Sequence, residues 1–213
     1  MINLRLLARP AVAWELTANF ARTSTYFAML FVLAQYLQQG LGRSATYSGL
    51  VLVSWVAAFG VAAPVTRRLP TWAAPFGGVL GSLILAAAFA AVSAAPAPGP
   101  FLVVALGAGG FGLGMAYSSL LSRLTGAVPP DEAADLSGLV NTSAQVAAVA
   151  GVAVYGTVYF ALATRPAYAF GVVAAALAAS GFAGAACSYL SARRRAAEIP
   201  ATRSEERVPA RTR

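Results

Sequence analysis

The chain has no histidine and only one cysteine, Cys187, in 213 residues. These absences exclude an internal disulfide and leave no His/Cys metal cluster. They also remove the commonest general base. No nucleophile–base spacing occurs elsewhere, so enzyme chemistry is disfavoured and neither a cofactor nor a metal is expected. Charge is equally scarce. Asp, Glu, Lys and Arg together make up 10% of the residues, against about 25% in a soluble domain. With 59% hydrophobic residues and a mean hydropathy of +0.70, there is too little polar material to cover a water-exposed surface. The composition is that of a polytopic protein embedded in a lipid bilayer. Lysine is missing altogether, and arginine supplies every basic side chain behind the net charge of +8. Those arginines gather at the ends of apolar runs and in the C-terminal tail. This distribution favours membrane anchoring over a nucleic-acid partner.

What the sequence does contain is a series of long apolar runs. They predict six transmembrane helices at about residues 11–37, 48–66, 73–95, 101–121, 136–163 and 167–190. Each is long enough, at 1.5 Å rise per residue, to reach across a ~30 Å hydrocarbon core. In lipid such segments must be helical, because an unpaired backbone has no water to bond to. The N-terminal MINLRLLARP looks like the start of a signal peptide. The apolar run behind it is too long and too interrupted by polar residues for that, so it is read as an uncleaved first span. An all-α membrane domain over residues 1–190 is therefore expected, followed by a disordered basic tail at 191–213. With six spans both termini share one side. Arg5, Arg9, Arg67, Arg68, Arg123 and the tail arginines fall there, with only Arg43 and Arg165 opposite. The positive-inside rule then puts both termini in the cytoplasm, as expected of a multi-pass plasma-membrane protein.

The first span carries Glu15, Asn19, Arg22, Thr23 and Tyr26 on one helical stripe. A stripe containing an arginine cannot face lipid, where Arg near the bilayer centre costs roughly 2.5–3.5 kcal/mol on insertion scales. It must face protein or a wet cavity. Two roles remain open for Arg22: a structural pair with Glu15, seven residues away, or a cavity charge that attracts anions or gates a proton. The fifth span opens with a second, uncharged stripe, Ser137, Asn141 and Gln145. It suits interhelical hydrogen bonds or contact with a substrate. Gly110 and Gly114 in the fourth span, and Gly77 and Gly81 in the third, have the small-xxx-small spacing that lets helices pack closely. The same glycines do not make a dinucleotide loop, since no strand precedes them. Pro129 and Pro130, followed by Asp131, Glu132 and Asp135, look like the entry to the fifth helix rather than an acid/base site.

Two stretches carry a family likeness. FVLAQYLQQGLGRSATYSGLVLV, residues 31–53, and GFGLGMAYSSLLSRLTGAVPPDEAADLSGLVNTSAQVAAVAGVAVYGTV, residues 110–158, resemble the C-terminal half of a major facilitator superfamily transporter. The pieces that carry it are Tyr36 to Gln39 with Gly42, Ser48 to Leu50, Val128 to Pro130, Ser137 to Leu139, Asn141, Thr142, Gln145 and Gly151 to Ala153. The branch they resemble is the fourteen-helix drug:proton antiporters, the multidrug exporters. The chain departs from that pattern at Ala144, Ala147 and Ala148. It also lacks an acid in the loop Pro64 to Pro70.

The resemblance implies one half of a major facilitator fold, built as a 3+3 inverted repeat. It implies efflux of small hydrophobic or drug-like compounds, with protons as the exchanged ion. It also implies a second six-helix half, from a separate chain or a second copy, because a lone half lacks an enclosed path. The cavity face would come from the first, second, fourth and fifth spans, with Glu15, Asn19, Arg22, Tyr26, Asn141 and Gln145 as the candidate cavity residues. A truncated remnant or a non-transporting six-span scaffold is the alternative.

Overall fold

The structure, a computed structural model, describes residues 10–70, 73–95, 99–125 and 133–205. Six long helices make up these residues, with no strand among them: α1 (Pro10–Gln35), α2 (Ala45–Arg67), α3 (Gly77–Ala94), α4 (Pro100–Thr125), α5 (Ala133–Ala161) and α6 (Pro166–Glu205). A π-helical turn, Tyr36–Gly40, extends α1, and a short 3-10 turn, Ala74–Phe76, leads into α3. The expected Pro129–Pro130 turn, with Asp131 and Glu132, lies outside the described residues, as do the first nine residues and 206–213.

Local chemistry accounts for several boundaries. Between α1 and α2 the chain reverses through Gly42, whose φ of 62° is the left-handed conformation glycine tolerates best. Ser44 then caps α2, its side chain accepting a hydrogen bond from the Tyr47 backbone N–H at 3.2 Å. Pro100 opens α4 and Pro166 opens α6, each at a position where the missing N–H costs nothing. α6 differs from expectation. It continues past residue 190 to Glu205, so that 191–205 is helical where composition predicted a disordered tail. Over 191–198 the reason is local: SARRRAAE consists mostly of Ala, Arg and Glu, which are strong helix formers, whereas the continuation past Pro200 has no such local cause.

Among the described residues, five helices are long and apolar enough to cross a membrane: α2, a segment containing α3, α4, α5 and the first 28 residues of α6. α1 is not among them. It has the length, 26 residues or about 39 Å, but Glu15, Asn19, Arg22 and its threonines dilute its hydropathy. The packing compensates by enclosing α1. It lies between α5 and α6 and touches α4 and α2. α4 is placed likewise between α2 and α3, and α3 and α6 join the two groups. α2 and α5 are the least enclosed of the apolar helices, with 17% and 22% of their most apolar windows buried against 44–56% for the other three. Their outward valines and leucines, such as Leu50, Val53, Val146 and Val149, need no protein cover if lipid surrounds them.

Small residues set the helix spacing. α4 lies against α2 so closely that a Cβ on Gly110 would collide with the Trp55 carbonyl. One on Gly114 would stand 2.5 Å from the Phe59 carbonyl oxygen. The same face-to-face approach joins α3 and α4, where Gly81 and Gly112 each abut the other helix's backbone and Gly77 abuts Ser119. Gly151 of α5 meets the backbone of Ser24 on α1. Without a hydrophobic drive between helices in lipid, close contact of this kind supplies much of the association energy. Trp55 fills the space beside α4, stacked on Phe89 at 5.6 Å and tilted against Tyr26 at 6.0 Å.

Candidate functional site

The polar stripe of α1 is buried. Glu15, Asn19 and Arg22 are 0%, 2% and 1% exposed. Along α1, Asn19 and Arg22 fall between two apolar clusters, and Glu15 lies within the stretch of the first. One contains Val12 and Leu16 with Leu120, Leu124, Leu136 and Val140; the other begins at Ala28 and Met29 and includes Trp55, Leu85, Phe89 and Phe170. The helix turn brings Glu15 and Arg22 onto one face. The arginine leans toward the helix N-terminus and closes the gap, with Nη2 3.5 Å from Glu15 Oε1.

Arg22 does more than pair along its own helix. Its Nη1 donates to Ser188 Oγ of α6 at 2.8 Å and to Ser82 Oγ of α3 at 3.2 Å. The Ser82 hydroxyl donates to the Gly78 carbonyl at 2.8 Å, so its oxygen is free to accept from the guanidinium. Glu15 reaches the other way, and its Oε2 lies 3.4 Å from Nη1 of Arg123 on α4. Arg123 also donates to the Pro75 carbonyl before α3. One carboxylate, two guanidiniums and two hydroxyls therefore join α1, α3, α4 and α6 near one end of the bundle. The two ion pairs are longer than the ≈ 2.7–2.9 Å of a tight charge-assisted hydrogen bond, and the Arg22–Ser188 bond is the shortest contact Arg22 makes in the set.

Beside this cluster is a half-open cavity of about 200 Å³. Asn19, Arg22, Thr23, Tyr26 and Phe27 of α1 line it, with Phe59 of α2, Leu113 and Tyr117 of α4, and Ala144 of α5. Of the six candidate residues, Asn19, Arg22 and Tyr26 line the cavity and Glu15 stands behind Arg22. Asn141 and Gln145 are not among the lining residues. Both are exposed on α5, close to Ala144 on the same helix face, and of the three only Ala144 lines the cavity. Two fully buried donors, Arg22 Nε and Asn19 Nδ2, have no hydrogen-bond partner among the described residues.

Sequence reasoning does not find Ser82, Ser188 or Arg123 as partners of the stripe. A single serine in an apolar span is a weak signal, since most such hydroxyls bond back to their own helix. Arg123 reads from sequence as a topology anchor. The aromatic walls Phe59 and Tyr117 are likewise silent in one dimension.

Long apolar helices packed around a buried polar cluster make this a multi-pass membrane protein. The family model described as Major Facilitator Superfamily matches residues 1–152. That is most of the chain, and the chain belongs to the major facilitator superfamily. Members of that superfamily are transporters rather than enzymes. No curated protein matches the sequence.

Proposed function

We propose that the chain is a transport component that exports small hydrophobic or drug-like compounds in exchange for protons. The observation that carries this is the half-open cavity between α1, α2, α4 and α5, floored by the buried Arg22 and Asn19, in a chain of a transporter superfamily. α2 and α5, which contribute Phe59 and Ala144 to it, are the apolar helices with the least cover. A second six-helix half, from a separate chain or a second copy, would cover them and close the cavity. The two halves would then rock about a midplane site. The helix pairings support a 3+3 inverted repeat: exchanging α1–α3 with α4–α6 carries α1·α5 onto α4·α2, and α1·α6 onto α4·α3.

In this scheme Asn19, Arg22 and Tyr26 contact the compound, and Glu15, the one buried carboxylate among the described residues, serves proton exchange. Asn141 and Gln145 meet the second half across α5. The arginine distribution supports cytoplasmic termini in a plasma membrane. The drug:proton antiporter branch rests on the motif resemblance at residues 31–53 and 110–158.

A second function, a six-span scaffold that does not transport, is favoured by one observation: Arg22 is already held by Glu15, Ser82 and Ser188, as a purely structural cation would be. Proton-driven dye efflux in inverted vesicles carrying this chain alone, against an empty-vector control, separates the two. Efflux above control that an uncoupler abolishes supports a transporter completed by a second copy. If a well-expressed chain shows no efflux, alone or beside a supplied second half, the scaffold is favoured.

A further inference from the structure

We infer that a groove between the C-terminal parts of α2 and α4 binds an anionic phospholipid, its phosphate at Arg67 and Ser118 and an acyl chain along Phe59, Gly60 and Ala63. The inference goes beyond the transport function and stands without it. Three observations lead to it.

The first is an unmet cation at the mouth of the groove. Arg67, the last residue of α2, is exposed and lines the groove. Its guanidinium has no ion pair or hydrogen bond among the described residues. Ser118 of α4, half-buried, lines the same groove, and its hydroxyl has no partner among the described residues either. Thr66 and Ser122 also line it, but each hydroxyl already donates to a carbonyl of its own helix, at 2.7 and 3.0 Å. A guanidinium has donors only, and phosphate oxygens are the acceptors that suit it best.

The second is the order of polarity along the groove. Arg67 stands where the apolar span of α2 ends. Toward the middle of the span the wall becomes Phe59, Gly60 and Ala63, with Gly114 of α4 opposite. Phe59 lies about 12 Å of helix rise deeper than Arg67. Charge at the membrane edge and apolar wall beneath it is the order of a phosphate and its acyl chain. A free anion would use the mouth and leave the wall bare. The wall is also open, since a Cβ on Gly60 would meet nothing within 4 Å.

The third is the sign of the charge. No carboxylate is among the residues lining the groove. The ammonium of a zwitterionic lipid would find no acid there and would compete with Arg67 for its own phosphate. A headgroup without an ammonium leaves the phosphate to the arginine. Polarity rather than size selects the ligand, because a second half over α2 would change the groove's dimensions but not the groups at its mouth.

The test is native mass spectrometry of the full chain, released from detergent micelles after titration with phosphatidylglycerol or with phosphatidylcholine of the same acyl chains. The chain should retain one phosphatidylglycerol about tenfold more tightly than phosphatidylcholine, and glycerol phosphate should not displace it. Arg67→Gln should remove that preference. Arg68→Gln deletes an equal charge from a neighbour that does not line the groove, and it should leave the preference in place. Gly60→Leu puts a side chain into open space and should weaken phosphatidylglycerol about tenfold with an unchanged size-exclusion profile; Ala63→Leu, one turn along the same wall, is the second filling variant. Equal retention of the two lipids would overturn the inference. So would equal losses in Arg67→Gln and Arg68→Gln, which would make the effect one of surface charge. Displacement by glycerol phosphate, or full binding in both filled variants, would overturn the acyl chain in the groove and with it the lipid.

Discussion

Replacing Glu15 with glutamine tests the polar cluster directly. The change keeps shape and length but removes the charge that two arginines share. Arg22 is then buried at 1% exposure with only neutral partners, the hydroxyls of Ser82 and Ser188 and the new amide oxygen, and Arg123 loses its acid at 3.4 Å. Removing one partner of a buried ion pair costs about 3–5 kcal/mol, because the remaining charge is left uncompensated. At about 2–4 °C per kcal/mol for a chain of this size, the melting temperature should fall by ~6–20 °C. The readout is built in. Cys187, the only cysteine, is half-buried on α6 beside Ser188, which holds Arg22. A thiol-reactive dye should therefore label it as this part of the bundle opens on heating. In the double variant Glu15→Gln/Arg22→Gln most of the loss should return, since the uncompensated charge has gone with its partner. Strict additivity of the two single changes, or a Glu15→Gln melt within 2 °C of the parent, would refute a coupled ion cluster.

Two further outcomes follow from the packing. Gly81→Leu should abolish the close approach of α3 to α4, where each helix's backbone meets the other's, and cause most of the protein to aggregate on size-exclusion chromatography; a monodisperse profile would mean that this contact is dispensable. Asn141→Leu with Gln145→Leu changes two exposed positions of α5 and should leave the melting temperature within about 2 °C, in keeping with the ±0.5 kcal/mol typical of exposed positions. It should lower dye efflux several-fold if that face meets a second half, and unchanged efflux would remove these two residues from the transport scheme.

The one-dimensional pattern was enough for much of this. Scarce charge and long apolar runs dictate a helical membrane protein, because lipid offers an unpaired backbone no alternative. The stripe Glu15–Asn19–Arg22 had to turn inward for the same reason, and a period of 3.6 residues suffices to show that those side chains share a face. The motif order at residues 31–53 and 110–158 carried the superfamily. Position across helices was not legible. That Ser82 and Ser188 would receive Arg22, that Arg123 would share Glu15, and that Ala144 rather than Asn141 or Gln145 would face the cavity all depend on how helices 60 to 166 residues apart are rotated against one another. Helical periodicity fixes which residues lie together on a helix but not which neighbour that face meets. The neighbour is selected by steric fit at Gly81, Gly110, Gly112, Gly114 and Gly151, and steric fit between separate helices exists only in three dimensions.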